Sequence, residues 1–282
     1  MAKENYISLR GQIRSEVIYV KNENDFPIKA FFSLHTIKRN AHNRAGQLEP
    51  KFDKPIIMTS DPVIIRETLK INRGDIIEVK GSFTTGKVIK HKKCPYCGFE
   101  NDFETPYQVI TPQYIGVLKT GLKSDSEGLK DLVETAEISN VAKIIGRVCS
   151  EKIINGESER GDLFATYQLA VNRKYYLPGT EDYDDHSDYL YVISYNDQAI
   201  DDTKALKEGA LIYVDGYVHT MLTPMKVTCA NEECHRDFEI KTQRMSITPY
   251  SVEYLRDYNG DAIEQTHPTS DENIKVDEPE II

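Results

Sequence analysis

Four cysteines lie in two short turn-forming sequences that could each present thiolates to a metal ion. Cys94-Pro-Tyr-Cys97-Gly98 has the spacing of a zinc-binding knuckle, and Cys229-Ala-Asn-Glu-Glu-Cys234 is a looser counterpart. A structural Zn²⁺ site needs four ligands, and each sequence supplies two. Three arrangements are open: one ion shared by all four cysteines, metal-free hairpins, or separate ions completed by histidines such as His91, His219 or His235. A shared ion is disfavoured if the two hairpins project from opposite ends of a pseudo-twofold pair.

Tyrosines concentrate in the second half of the chain, where a run of alternating residues contains Tyr189, Tyr191 and Tyr195. Successive side chains of a strand point to opposite faces, so these three share one face and Leu190 and Val192 take the other. The apolar pair is the better core candidate, which predicts that the tyrosine face is exposed. Exposed aromatic rings stack on nucleic-acid bases, and neighbouring cations neutralise the phosphates.

The charge is distributed very unevenly over the 282 residues, whose net charge is −10. Residues 1–123 contain 20 Lys and Arg against 13 Asp and Glu, and the remainder contains 15 against 32. The last 26 residues carry eight acids and one lysine. A basic first half and an acidic ending indicate a polyanionic partner and a solvated, partner-binding tail.

The chain repeats itself at an offset of 135 residues. The segment Ile71–Gly81 recurs as Leu206–Gly216 with the same Gly-x-x-Ile-x-Val-x-Gly spacing, and Asp102-Phe103-Glu104 recurs as Asp237-Phe238-Glu239. One fold used twice is the simplest explanation. We therefore expect a basic first repeat over 1–120, a linker over 121–137, a second repeat over 138–256 and a disordered acidic tail over 257–282.

Each repeat contains short, β-branched, alternating segments in the same order. Tyr6–Ile13 and Val141–Val148 are predicted as first strands with a bend at a central glycine. A helix is predicted over Pro62–Leu69 and again over Gln198–Leu206, and a cysteine-containing hairpin follows. Five strands with one helix between the third and fourth is the layout of the OB fold, so the sequence predicts an all-β protein of two tandem OB folds.

The second repeat resembles the bacterial single-stranded DNA-binding (SSB) family. The resemblance rests on the ordered set Ile145–Val148, Phe164–Val171, Ser194–Ala199 and Leu206–Gly216, and it spans roughly 138–220. It implies binding and protection of single-stranded DNA without sequence preference, in replication, recombination or conjugative transfer. It also places six residues among the family's stacking aromatics and basic contacts: Tyr175, Tyr189, Tyr195, Arg147, Arg173 and Lys174. Tyr191 is added to these from its strand face.

The same resemblance gives roles to the chain's end and to its assembly. SSB-family chains close on an acidic, hydrophobic-ended stretch that recruits replication and recombination proteins. Here the ending is similar in kind only, lacking the run of Asp and the terminal Phe: Asp277, Glu278, Pro279, Glu280, Ile281 and Ile282. Because four OB folds commonly make one family particle, two chains of two repeats predict a homodimer.

The first repeat lacks the stacking residues. At the 135-residue offset, Tyr175, Tyr189, Tyr191 and Tyr195 correspond to Asn40, Lys54, Ile56 and Ser60. Its basic residues, among them Lys38, Arg39 and Lys54, suggest that it neutralises phosphates while the second repeat stacks bases. The alternative is that the first repeat serves only in assembly.

Several function classes have no support in the sequence. We find no phosphate-binding loop, nucleophile elbow or zinc-protease signature, so we expect no enzymatic activity. No apolar run approaches the ~18 residues of a membrane span, and a cytoplasmic location is expected by default. The composition suits an AT-rich bacterium, its plasmid or a phage. Alternatives to DNA binding are RNA binding, an adaptor whose OB folds hold proteins, and a non-catalytic subunit of a primase or nuclease.

Overall fold

The computed structural model describes residues 4–38, 50–122, 124–158, 161–173 and 187–256, and these ranges are mostly β-structure. The first half contains β1 (Glu4–Ile13), β2 (Ile18–Lys21), β3 (Pro27–Ile37), β4 (Phe52–Asp53), β5 (Ile56–Thr59), α1 (Pro62–Thr68), β6 (Ile76–Lys93) and β7 (Glu100–Lys119). Two helices follow, α2 (Asp125–Glu134) and α3 (Ala136–Ser139). The second half contains β8 (Asn140–Val148), β9 (Ile154–Glu157), β10 (Leu163–Asn172), β11 (Ser187–Tyr195), α4 (Asn196–Ala205), β12 (Leu211–Thr228) and β13 (Asp237–Arg256).

The strands of the two halves are arranged in mirrored order around one central pair. The order is β2-β3-β5-β7-β6-β1-β8-β12-β13-β11-β10-β9, with β4 paired to β3. In the centre, β1 and β8 pair antiparallel from Glu4 opposite Ile145 to Leu9 opposite Asn140. Each half also closes on itself, because β1 pairs with β3 and β8 pairs with β10. The molecule is therefore two tandem OB folds joined edge to edge through their first strands.

A glycine in each first strand allows this closure. A side chain at Gly11 would place its Cβ 2.6 Å from the carbonyl oxygen of His35, and one at Gly146 would lie 2.9 Å from a methyl group of Val171. Both glycines lie where the strand approaches its closing partner while still pairing with its other neighbours. This close approach explains why glycine occupies both positions, and the bend predicted there stays a prediction.

The cores of the two folds form one continuous apolar cluster. Alternate residues of β1 and β8, such as Ile7, Leu9 and Ile144, are fully buried, and they pack with Val79 and Val214 of the neighbouring strands. The alternation follows from the strand period of two, so the polar residues between them face outwards. The predicted first strands and both predicted helices are present within one or two residues of their expected ends.

The segment predicted as a linker over 121–137 is largely helical. Leu132 of α2 is fully buried against Ile37 and Ile76, and Asp131 accepts a 2.7 Å hydrogen bond from the Arg10 guanidinium. The linker thus packs on the first repeat. The predicted tail over 257–282 lies outside the described residues, and the domain boundaries remain predictions.

Two long hairpins extend from the two folds and meet. We call β6–β7 the first hairpin and β12–β13 the second hairpin; they pair as far as Lys93 opposite Glu100 and Thr228 opposite Asp237. Their tips form a small apolar cluster of their own, made of Cys94, Phe103, Met225, Val227, Cys229, Cys234, Phe238 and Ile240. The hairpins therefore lie side by side at their tips rather than at opposite ends of the molecule.

Candidate nucleic-acid interface

Three tyrosines form an exposed face on β11. Tyr189, Tyr191 and Tyr195 are 50, 42 and 39% exposed, while the intervening Leu190 and Val192 are fully buried. The predicted exposure of the tyrosine face is therefore confirmed. Three phenol rings at alternate or near-alternate positions of one strand offer π-faces along one line, the arrangement that successive stacked bases need.

The neighbouring strand β10 extends this surface. Phe164 lies directly opposite Tyr195, Gln168 opposite Tyr191 and Ala170 opposite Tyr189. Directly opposed residues of an antiparallel pair share a face, so Phe164 lies beside Tyr195. Phe164 is not among the residues predicted to contact DNA, although its strand parity, opposite to that of Ala165 and Tyr167, places it on the exposed face.

The two predicted cations of the second repeat that the structure describes are both engaged. The Arg147 guanidinium donates a 2.7 Å hydrogen bond to the carbonyl oxygen of Gly209 and is half-buried. The Arg173 guanidinium donates two hydrogen bonds, of 2.8 and 2.9 Å, to Asp188, and its side chain is 13% exposed. Lys174 and Tyr175 lie outside the described residues.

Asp188 also connects the two repeats. Its carboxylate accepts a 2.8 Å hydrogen bond from the backbone N–H of Thr85 in the first hairpin. At the 135-residue offset the contact is reciprocated, because Asp53 accepts from the backbone N–H of Thr220, at 2.7 Å, in the second hairpin. Each repeat thus holds the other's hairpin through a buried carboxylate.

Lys38 belongs to the reciprocal contact in the first repeat. Its ammonium lies 3.5 Å from Asp53 and 2.9 Å from Nδ1 of His219. Burial lowers the pKa of Lys38, and the Asp53 carboxylate opposes that shift. Among the other predicted cations of this repeat, Lys54 is exposed and Arg39 lies outside the described residues.

The first repeat has its own outward face at the positions equivalent to the tyrosines. Lys54 precedes β5, Ile56 and Met58 lie within it, and Phe31 lies opposite Met58. The Lys29 ammonium lies 5.9 Å from the centre of the Phe31 ring. This face has one aromatic ring and two cations where the second repeat has three tyrosines, so the two repeats present different chemistry.

The four cysteines of the hairpin tips come together. Cys94 Sγ lies 3.9 Å from Cys234 Sγ, and Cys97 Sγ lies 3.6 Å from Cys229 Sγ. All four sulfur atoms lie within 4.8 Å of one another, so they are close enough to hold one metal ion. Two of the histidines considered as ligands are held elsewhere: His91 Nδ1 lies 2.6 Å from Asp102, and His219 Nδ1 lies 2.9 Å from Asp53.

The backbone at the first hairpin tip favours the thiolate form of Cys94. Burial opposes ionisation of the Cys94 thiol, but the N–H groups of Tyr96 and Cys97 outweigh it and lower its pKa to about 7. On the other side, burial raises the pKa of Cys229 to about 11. The cluster therefore resists carrying several negative charges in the absence of a cation.

Structural comparison places this architecture among solved structures. The wild-type single-stranded DNA-binding protein from Thermus aquaticus aligns with 11% identity and a TM-score of 0.58, over 90% of this chain and 94% of that one. A deletion variant of the same protein aligns with 12% identity and a TM-score of 0.59, over 95% and 100%. A single-stranded DNA complex of the Plasmodium falciparum SSB aligns over 42% of this chain, with 23% identity and a TM-score of 0.33.

The two Thermus aquaticus alignments show a shared fold over nearly the whole chain. No known protein family and no curated protein sequence matches the chain. Among the described residues, no helix has both the length and the apolar character to cross a membrane.

Proposed function

We propose that this protein binds single-stranded DNA without sequence preference, with the tyrosine face of β11 as its stacking platform. The observation that carries the proposal is the exposure of Tyr189, Tyr191 and Tyr195 on one face beside Phe164. Each stacked base contributes roughly 1–3 kcal/mol, and stacking tolerates any base because every base has a π-face. The Thermus aquaticus protein that shares the fold is named for the same activity, which supports this reading.

The two repeats divide the work in this proposal. The second repeat supplies base stacking, and the first supplies cations for the phosphate backbone, with Lys54 and Lys29 on the equivalent face. Phe31 adds one further ring there. Lys38, Arg147 and Arg173 remain predicted DNA contacts, although each also bonds within the protein.

The wider role follows from the same activity. The protein protects exposed strands during replication, recombination or conjugative transfer, without catalysing a reaction, in the cytoplasm of a bacterium and as a homodimer. The acidic ending at 277–282 recruits partner proteins. The cofactor in this proposal is a structural metal ion at the cysteine cluster, which takes no part in stacking.

Fluorescence anisotropy with labelled oligo(dT) tests the proposal. The wild-type protein binds at low salt, and its affinity falls as salt rises, because neutralising phosphates releases condensed counterions. The double variant Tyr189→Ala/Tyr195→Ala loses two stacking rings, so its Kd rises by about 30-fold or more, from roughly 1–3 kcal/mol for each ring. Oligo(U) as competitor separates DNA from RNA preference.

The matched control is Tyr114→Ala. Tyr114 is 47% exposed, as the platform tyrosines are, but it lies on β7 of the first repeat. Its removal leaves the Kd within about twofold of wild type, because an exposed side chain away from the contact contributes little. Absence of wild-type binding at low salt, or equal binding by the double variant and the control, refutes the tyrosine platform.

A further inference from the structure

We propose that Cys94, Cys97, Cys229 and Cys234 bind one zinc ion that joins the two OB folds through their hairpin tips. The inference is independent of DNA binding, since it concerns a cluster on the hairpins rather than the β11 face. Two ligands come from each repeat, so neither repeat contains a complete site. In both measured sulfur–sulfur contacts, the two cysteines belong to different repeats.

The distances fit a tetrahedral tetrathiolate. A Zn–S bond is about 2.3 Å long, which puts the sulfur atoms of a regular tetrahedron about 3.8 Å apart. The two inter-repeat separations are 3.9 and 3.6 Å. Two disulfides would need sulfur atoms about 2.05 Å apart in separate pairs. Here all four sulfurs instead lie within 4.8 Å of one another.

The two turns share backbone features although their cysteine spacings differ. The residue after the second cysteine adopts positive φ in both, at 74° for Gly98 and 44° for His235. A left-handed conformation is uncommon outside glycine, so its occurrence at His235 marks a turn held by its surroundings. The backbone N–H of Gly98 donates to the Cys94 carbonyl, and that of His235 donates to the Asn231 carbonyl. Both turns thus direct two thiols towards one point.

Polar contacts around the cluster run between the hairpins. Asn101, which is buried, accepts a 2.7 Å hydrogen bond from the Ala230 N–H. The Asn231 amide lies 3.9 Å from Cys97 Sγ and donates towards it. Hydrogen bonds of this kind orient metal ligands from outside the coordination sphere. Each comes from one hairpin and serves the other, as a shared site requires.

The ligand set selects the metal. Four soft thiolates in a tetrahedron favour zinc or an iron–sulfur centre over hard cations. Zinc binds such a set as a single ion and brings no redox chemistry with it. Because ligands come from both repeats, its binding free energy stabilises their association and contributes to folding.

Metal analysis of the full-length protein, purified under reducing conditions, tests the proposal. Wild-type protein contains about one zinc per chain, and Cys97→Ser and Cys234→Ser each fall below about a tenth, because one ion needs all four ligands. Cys149→Ser is the matched control, since Cys149 lies outside the cluster, and it keeps its zinc. Co²⁺ added to chelator-stripped wild type binds at one equivalent with the absorption of a tetrahedral tetrathiolate.

Several results would overturn the proposal of one shared zinc ion. Two zinc ions per chain would mean that each repeat has a separate site. Zinc retained in either Cys97→Ser or Cys234→Ser would mean the same. Iron in place of zinc, two disulfides found by thiol counting, or no uptake of Zn²⁺ or Co²⁺ by reduced protein also overturns the proposal. Because the serine variants could fail to fold, the stripped wild-type titration, with far-UV circular dichroism before and after, decides the question without them.

Discussion

Asp202 is a buried carboxyl group surrounded by neutral donors. It accepts hydrogen bonds from the hydroxyls of Tyr167 and Tyr254, at 3.1 and 2.6 Å, and from the amide of Gln198 at 2.9 Å. Burial raises the pKa of Asp202, and these hydrogen bonds only partly oppose the shift. The network fixes α4 against β10 and β13, directly behind the strand that carries the tyrosine face.

Ionisation of the buried Asp202 carboxyl makes the stability of the folded protein depend on pH. The folded state binds the Asp202 proton more tightly than the unfolded state, so its contribution to stability is greatest below the ordinary pKa of 3.8 and is lost as pH rises through the folded pKa. Asp202→Asn cannot ionise. The stability of wild type relative to this variant therefore falls as pH rises from about 4 to neutrality. Urea unfolding across that range measures the difference.

Asp201→Asn is the control for this prediction, since Asp201 is the exposed neighbour on the same helix. Its stability difference from wild type stays nearly constant over the range. The stability difference between wild type and Asp202→Asn could prove equally independent of pH. That result would contradict a raised pKa for the buried Asp202 carboxyl.

Among secondary-structure elements, the reciprocal carboxylates make the hairpins part of both folds. Asp188 lies in β11 but holds Thr85 of the first hairpin, and Asp53 lies in β4 but holds Thr220 of the second. Both carboxylates are fully buried. The hairpins are therefore held near their middle by these contacts, and their tips meet at the cysteine cluster.

Asp188→Ala tests this connection. The substitution leaves the mostly buried Arg173 guanidinium without its partner and removes the acceptor of the Thr85 N–H. We expect a loss of about 3–5 kcal/mol in the free energy of unfolding, the usual cost of an uncompensated buried charge. The measurement is urea denaturation of the full-length chain. Glu67→Ala is the control. It breaks the exposed ion pair between Glu67, on α1, and Lys70, so it changes stability little.

A loss for Asp188→Ala no larger than that of the control contradicts this role. Relaxation of Arg173 towards solvent in the variant would then have offset the loss of the ion pair.

Local patterns predict some of these features, and contacts between distant residues determine the others. The alternation of Tyr189-Leu190-Tyr191-Val192 suffices to predict an exposed tyrosine face, because strand period and hydrophobicity are local. The role of Asp53 and Asp188 could not be predicted, because each also accepts a hydrogen bond from the hairpin of the other repeat. The shared cysteine cluster was one open alternative, because its two halves lie 135 residues apart and their meeting depends on the β1–β8 pairing.

For the whole molecule, the tandem arrangement permits the two repeats to differ. Residues 1–123 carry an excess of basic residues and the remainder an excess of acidic ones, yet both adopt the same fold. Joining the folds through β1 and β8 keeps two chemically distinct faces in one fixed arrangement. The repeat and the fold were predictable from the 135-residue offset, whereas the packing of the linker as helix α2 was not.

Photochemical cross-linking tests the central claim, that DNA lies on the second repeat's tyrosine face, most directly. The full-length protein is irradiated with an oligo(dT) containing 4-thiothymidine at low salt, and the attached peptides are identified by mass spectrometry. We predict cross-links within residues 163–195, at Tyr189, Tyr191, Tyr195 and Phe164, and their loss in Tyr189→Ala/Tyr195→Ala but not in Tyr114→Ala. Cross-links confined to the first repeat or to the hairpin tips, in protein that binds the oligonucleotide, would contradict the account.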